Sequence, residues 1–193
     1  ISSLAVIGTY LFAATSSGVF VSTNNGTLWT RMITGLTNTS VYSLAVNGTS
    51  LYAGTGGGVF LSTNNGTNWI GVNAGLTNTN VHSLIYRGAN LFAGTLGGGV
   101  FRSTNDGANW TAANTGLTST NVYALAVSGT DIYAGTFAGG VFRSTHDGAN
   151  WISVRANIGV LSLGAAGTNL YAGTQDSGIF RSTNSGVTWV SVN

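Results

Sequence analysis

The sequence predicts an all-β fold, a β-propeller of five four-stranded blades, from three observations. Trp occurs five times, and the successive spacings are 40, 41, 41 and 38 residues. Short apolar stretches alternate with turns rich in Gly and Asn, which is typical of strands of about five residues. No stretch shows the capped periodicity of a helix. Four strands in a unit of about 40 residues are the pattern of a propeller blade.

Each Trp ends the same eight-residue phrase, which begins with Ser-Thr and has Gly at its fifth position. The five phrases occupy residues 22–29, 62–69, 103–110, 144–151 and 182–189. The chain is therefore one domain, residues 1–193, made of five repeats without a linker. The repeats lie at about residues 1–40, 41–80, 81–121, 122–159 and 160–193.

The second repeat shows the elements of one blade in order. Its apolar stretches predict four strands, at residues 41–46, 51–55, 59–62 and 69–72. Asn47-Gly48 predicts the first hairpin turn, because Gly adopts the positive φ that tight turns need. Gly56–Gly58 permits the second reversal and Asn65-Gly66 the third.

The composition of the strands predicts how the blades pack. The strands are almost continuously apolar, as expected where both faces of a sheet are buried. Small residues in the first two strands suit a narrow central channel, and one Phe per third strand is expected to fill the wider space between blades. Because the chain runs from a first strand to a fourth, each blade is contiguous. We expect a closed ring of five, with a fragment of a larger ring as the alternative.

Charge is scarce, and its scarcity excludes several function classes. The chain has six Arg, four Asp and no Lys, Glu, Pro or Cys. The absence of Cys excludes disulfides and Cys-ligated zinc, and the absence of Lys excludes a Walker-type phosphate site. Six scattered Arg do not form a nucleic-acid footprint, and no apolar stretch is long enough to cross a bilayer. We expect no cofactor and no catalytic or metal-ligating residues.

The Ser-to-Trp phrase resembles the Asp-box, or bacterial neuraminidase repeat. The repeat is similar to photosystem II assembly-factor-like propellers and to bacterial extracellular repeat propellers. The resemblance covers the whole chain and implies that the phrase forms the turn between the third and fourth strands, as a folding device. The implied structural residues are Ser22, Asn24, Gly26, Trp29, Ser62, Asn64, Gly66, Trp69, Ser103, Asn105, Gly107, Trp110, Ser144, His146, Gly148, Trp151, Ser182, Asn184, Gly186 and Trp189.

This chain departs from the Asp-box pattern, since Asn or His stands at every Asp position. Sialidases with such repeats need an Arg triad, a Tyr supported by Glu, and an acidic Asp, and this chain has no Glu. Arg102, Arg143 and Arg181 share one repeat position. We expect their stems to pack and their guanidinium groups to bind carbonyls or a ring, with an anion- or protein-binding arc as the alternative.

The tips of the turns between second and third strands differ while the frame repeats, and variable loops on a fixed frame are where propellers place binding groups. The candidate binding residues there are Leu96, Phe137, Gln175 and Asp176. The alternative for Leu96 and Phe137 is packing over the channel mouth. His82 replaces a first-strand Tyr and His146 an Asp-box Asn, so structural roles are expected for both.

The sequence therefore predicts a non-enzymatic bacterial β-propeller that is extracellular or displayed on the cell surface. We expect it to serve as a structural or protein-interaction module, with self-association as a further hypothesis because so little charge opposes it. A glycan-binding, lectin-like propeller is the alternative, and a sialidase-like glycosidase is less favoured. No nucleic-acid partner and no membrane insertion are expected.

Overall fold

A computed structural model describes residues 1–193 and contains five antiparallel four-stranded sheets, each with its strands in chain order. Blade one contains β1 (Ser3–Ile7), β2 (Tyr10–Thr15), β3 (Gly18–Ser22) and β4 (Thr30–Met32). Blade two contains β5 (Val41–Asn47), β6 (Ser50–Thr55), β7 (Gly58–Ser62) and β8 (Ile70–Gly71). Blade three contains β9 (Val81–Arg87), β10 (Asn90–Thr95), β11 (Gly99–Ser103) and β12 (Thr111–Ala112). Blade four contains β13 (Val122–Ser128), β14 (Asp131–Thr136), β15 (Gly140–Ser144) and β16 (Ile152–Arg155). Blade five contains β17 (Val160–Ala166), β18 (Asn169–Thr174), β19 (Ile179–Ser182) and β20 (Val190–Ser191).

The five contiguous four-stranded blades confirm the predicted fold class. The first strands of successive blades lie side by side, which makes them the innermost strands around the axis. No helix in the structure has the length and hydropathy that a membrane crossing needs.

The fourth strands are shorter than the sequence predicts. Trp69 was expected to open the fourth strand of blade two, but β8 begins at Ile70. The amide of Trp69 instead donates to the carbonyl of Thr34, in the connection that follows blade one, at 2.9 Å. Trp110 and Trp151 donate in the same way to Ala74 and Thr115. The Trp backbone therefore ties each of these blades to the connection before it and leaves the local ladder.

The Ser-to-Trp turn is held by its own side chains. In blade three, the Asn105 Oδ1 accepts a bond from the Ser103 hydroxyl at 3.0 Å and one from the Asn109 amide at 2.9 Å. The Ser103 Oγ in turn accepts from the Gly107 amide at 2.9 Å. Asp106 and Gly107 both have positive φ, which Asp and Gly tolerate better than most residues. The turns of blades one, two and five repeat the Asn bonds.

Blade four lacks the bonds made by Asn in the other turns. His146 occupies the Asn position, and its Nδ1 lies 2.7 Å from the Thr145 hydroxyl instead. We expect His146→Asn to raise the free energy of unfolding by about 0.5–1.5 kcal/mol, since it restores a hydrogen bond to the backbone. Urea denaturation would measure the change. Asn105→His is the matched reverse substitution and should lose a similar amount; a gain in that variant would contradict this account.

The core consists of four apolar clusters, and each joins two successive blades. Blades one and two share a cluster that contains Phe12, Leu36, Phe60 and Trp69. Equivalent clusters join blades two and three, three and four, and four and five. Phe60, Phe101 and Phe142 are at most 3% exposed, as expected for side chains that fill the space between blades.

The expectation of a closed five-blade ring is wrong. No core cluster joins blade five to blade one, and β17 and β1 do not pack as the other first strands do. On blade one, Leu4 and Val6 are 67% and 58% exposed. On blade five, Leu161 and Ile179 are 41% and 48% exposed. The blades therefore form an open arc, because five of them do not complete the turn around the axis.

Candidate functional site

Antiparallel order gives every blade the same two faces. The hairpin face carries the turns between first and second strands and the Ser-to-Trp turns. The loop face carries the turns between second and third strands and the connections between blades. On the loop face, the amides of Gly56, Leu96, Phe137 and Gln175 donate to the residue just before their own blade's first strand. These bonds hold the variable turn tips against the inner end of each blade.

A β-bulge interrupts the first strand of blades two to five at its loop-face end. In blade two, Val41 pairs with Thr55 and Ser43 with Gly54, so that Tyr42 is left without a partner. His82, Tyr123 and Leu161 are the bulged residues of the next three blades. Because a bulge re-aims a side chain and often lies next to a functional site, the bulged residues are candidates for ligand contact.

The bulged residues of blades two to four form a continuous row with one loop residue. The Tyr42 and His82 rings stack with centroids 4.1 Å apart. His82 meets Tyr123 edge-on at 5.3 Å, and Tyr123 meets Phe137 at 5.7 Å. We call these four residues, Tyr42, His82, Tyr123 and Phe137, the aromatic arc. It follows the inner rim of the loop face across three blades.

The arc is accessible to a ligand. Tyr42, His82 and Tyr123 are half-buried, and the Phe137 side chain is 41% exposed. The sequence reveals that His82 replaces a repeated Tyr, but it gives no sign that the position is bulged or that the rings touch across blades. The row could have been found only from the recurrence of Tyr or His after the first Val of repeats two to four.

Burial of His82 lowers its pKa below the ordinary value of 6.5. The residues that face its ring from the neighbouring blades are Tyr42 and Tyr123, which are uncharged near neutral pH. The charged form of His82 is therefore desolvated without an acidic partner.

Acidification is expected to destabilise the fold through His82. Because the folded pKa is the lower one, the unfolded chain takes up the proton first. The stabilisation is complete above pH 6.5 and is lost as the pH falls through the lowered folded value. His82→Tyr should reduce this dependence, as measured by the urea midpoint between pH 8 and pH ~5. His146→Asn is the matched histidine control and should retain it; an unchanged dependence in His82→Tyr would contradict the assignment.

The four candidate binding residues of the variable turns all lie on the loop face, but they differ in exposure. Phe137, Gln175 and Asp176 are exposed on the loop face, whereas Leu96 is half-buried and bridges to Asn121. Gln175 lies close to the arc, since its side chain and the carbonyl of Phe137 both adjoin Gly159. The partial burial of Leu96 fits a packing role. The binding role of Phe137, Gln175 and Asp176 stays a prediction.

Two of the three Arg at the shared position, Arg102 and Arg143, contact residues of the hairpin face. Arg143 forms an ion pair with Asp131 at 2.6 Å, and Arg102 reaches the amide oxygen of Asn90 at 3.4 Å. The Arg181 Nε is buried without a hydrogen-bond partner. These positions lie in successive blades and make separate local contacts, so they do not converge on one ligand.

Most of the acidic residues also belong to the hairpin face. Asp147 pairs with Arg87 of the preceding blade. Asp106 accepts hydrogen bonds from the Tyr86 hydroxyl at 2.9 Å and from the side-chain Nδ2 of Asn47 at 3.3 Å. Burial, the neighbouring Tyr52 hydroxyl and Asp106 raise the pKa of Tyr86 well above its ordinary value. Burial also raises the pKa of Tyr52 and of Tyr133.

The loop face and the hairpin face differ in their charged groups. On the loop face, Asp176 is the acidic residue, Arg31 donates to the carbonyl of Ser17, and the rings of the arc contact one another. No three side chains of metal-binding type come together anywhere in the structure. The arrangement suits the binding of a neutral or apolar group on the loop face.

Comparison with known proteins gives a family and a fold. No curated protein shows significant sequence similarity to this chain. Among solved structures, the extracellular domain of the BT4673 one-component system from B. thetaiotaomicron has a TM-score of 0.81 at 20% identity, over 98% of this chain and 27% of that one. The GH74 enzyme of Niastella koreensis has a TM-score of 0.71 at 22% identity, over 99% of this chain and 31% of that one.

A third structure, YCF48 bound to D1 peptide, has a TM-score of 0.72 at 13% identity, over 98% of this chain and 67% of that one. The chain thus spans less than a third of the BT4673 and GH74 chains. At these identities the likeness concerns the fold. The family model of the DUF6242 beta propeller domain matches residues 97–193. This match covers half of the sequence, and the chain therefore belongs to the DUF6242 β-propeller domain family.

Proposed function

We propose that this chain is a non-enzymatic binding propeller, exported from a bacterial cell, which holds a protein partner at the aromatic arc of its loop face. The observation that carries the proposal is the row of Tyr42, His82 and Tyr123 on aligned β-bulges, continued by Phe137 of the neighbouring turn. Aromatic side chains dominate the buried centres of protein interfaces, where they contribute large contact areas at low entropic cost.

The placement of the carboxylates supports a non-enzymatic role. The chain has no Glu. Of the four Asp, Asp131 and Asp147 are paired with Arg, and Asp106 is bound by Tyr86. Asp176 stands on the loop face without a second carboxylate beside it, so the paired carboxylates of glycoside hydrolysis have no counterpart there.

Two further points support export and the Asp-box relationship. The solved structure of BT4673 that this chain resembles is an extracellular domain, which supports export. The structure of YCF48 bound to D1 peptide supports a protein partner. The Ser-to-Trp turns have the side-chain-to-backbone bonds and the left-handed residue that an Asp-box turn requires. We therefore propose that the repeats belong to the Asp-box group.

The experiment is selection from a displayed random-peptide library on the immobilised chain, followed by affinity measurement. Tyr123→Ala and Phe137→Ala should each weaken a selected peptide at least tenfold, a loss of about 1.4 kcal/mol. Ile152→Ala is the matched control, because Ile152 is 52% exposed on an outer strand away from the arc. Peptides that bind all three variants equally would place the interface elsewhere.

A neutral glycan is the second candidate ligand. The observation that favours it is the side-chain amide of Gln175, which is exposed next to Phe137. Aromatic faces with a few amide groups are suited to orienting a small polar ligand. A glycan array would decide between the two: binding of an uncharged oligosaccharide that is lost in Tyr123→Ala would favour the glycan over the protein partner.

A further inference from the structure

The two end blades expose faces that every internal blade buries. On blade one, Ile1, Ala13, Thr15, Phe20 and Trp29 line an apolar groove of about 240 Å³. Phe20 and Trp29 are half-buried there, whereas their equivalents in blade two, Phe60 and Trp69, are 3% and 2% exposed. The groove on blade one is therefore an unfilled copy of an interface that the same molecule forms elsewhere.

The structure also shows what fills that interface. Leu36, in the connection after blade one, packs in the cluster of Phe60 and Trp69 of blade two. Leu76 takes the same place against Trp110, and Leu117 packs against the cluster of Trp151. The group that fits the groove of blade one is thus a Leu-like side chain from a connection between blades.

Blade five has the complementary empty face. In blades two to four, a Cβ added at Gly54, Gly94 or Gly135 would come within 2.9, 2.7 or 2.6 Å of a Val of the next blade. The equivalent Gly173 meets no next blade; a Cβ there would touch only the Ser162 side chain of its own blade. Gly173 therefore leaves space for a Val side chain of a following blade, and this space is empty.

A hydrogen-bond series links the first three blades to the blades that follow them, and blade four has Ala124 at the position of the bonding Ser. The hydroxyl oxygens of Ser3, Ser43 and Ser83 accept bonds from the amides of Leu44, Leu84 and Leu125, each in the next blade, at 2.9–3.1 Å. Ser162 occupies the same position in blade five, is exposed, and has no such donor. Blade five therefore presents a packing site and an acceptor that both match the first strand of another blade.

We infer that the open arc is completed by further blades of the same repeat, carried on the same polypeptide, which join the face of blade five to the face of blade one. The YCF48 chain, which this arc covers to 67%, has room beyond the match for about two units of this length. A ring of about seven blades lies within the usual range for propellers. A second copy of the arc would bring the total to about ten blades, which is above that range.

The experiment extends the chain after Asn193 by a copy of residues 74–158, which encodes two blades and the connection that follows them. The extended chain should be monomeric and should unfold about 10 °C higher than the original, because both end faces become buried. An extension that leaves the unfolding temperature unchanged would overturn the inference.

Gly173→Val tests whether the higher unfolding temperature comes from packing of the added blade on the face of blade five or only from the greater length of the chain. In the original chain it should shift the unfolding temperature little, since the Ser162 hydroxyl can turn toward solvent. In the extended chain it should remove most of the gain, because Val at this position would clash with the incoming Val. Equal shifts in the two chains would contradict the inference.

A second, shorter extension guards against a seven-blade chain that does not fold. Adding only a copy of residues 74–117 covers the face of blade five, and the Gly173→Val comparison can be made there in the same way. Light scattering on the original chain adds an independent outcome. A stable dimer that Gly173→Val dissociates would identify a second copy as the occupant and would overturn the proposal.

Discussion

Trp151→Ala is expected to lower the free energy of unfolding by about 3–5 kcal/mol, as large-to-small changes of a buried aromatic residue do. The Trp151 side chain is 2% exposed and packs in the cluster that joins blades three and four. Its indole N–H donates to the carbonyl of Ala113 in the preceding blade at 2.8 Å. The substitution therefore leaves a cavity and an unpaired carbonyl at a blade interface. Urea denaturation would measure the loss.

Trp29→Ala is the matched control for this prediction. Trp29 holds the same repeat position but is half-buried, on the open face of blade one. Its indole N–H donates within its own turn, to Gly26. We expect less than half the loss seen with Trp151→Ala. Equal losses at the two positions would mean that the Trp acts within its own turn and not between blades.

Gly94→Val is expected to destabilise the chain by about 1–3 kcal/mol or more, the usual cost of overpacking a core. The added Cβ would lie 2.7 Å from the Val122 Cγ1 and 3.3 Å from the Leu125 Cγ, both buried in blade four. Neither side chain can move without displacing the first strand of that blade. The midpoint of thermal unfolding would report the effect.

The control for Gly94→Val is Gly173→Val, at the same position of blade five. There the added Cβ would approach only the Ser162 side chain, which is exposed. The variant should remain close to the parent in stability. A large loss at Gly173 would show that the backbone of the second strand, and not the neighbouring blade, requires glycine.

The blades could be predicted from the sequence because each repeats the same local rules. Turns such as the one at Gly66 and strands such as Leu51–Thr55 depend on residues close together in the chain. The exposed tip at Phe137 was predictable for the same reason. Trp69 was misplaced in the fourth strand because its amide is bound by Thr34 of another blade, and a single repeat carries no sign of that contact.

The aromatic arc and the open ring were beyond sequence reasoning for a different reason. Stacking of Tyr42 on His82 depends on a bulge, which changes the pairing register without any change in composition. The angle between blades depends on how side chains such as Leu36 fill the space between sheets, and this sum of small contacts determines how many blades close a ring. The shared position of Arg102 and Arg143 was visible, but their separate partners were not.

The bond from the Trp69 amide to Thr34, repeated at Trp110 and Trp151, gives the fold a direction. A blade obtains the acceptor for its Trp only from the connection made earlier in the chain. In a linear array of repeats, the stability of each repeat depends on its contacts with the adjacent repeats. During synthesis, which proceeds from the N-terminus, the carbonyl that accepts this bond is made before the Trp that donates to it. Blade five, whose Trp189 amide makes no such bond, should therefore exchange its amide hydrogens before blades two to four.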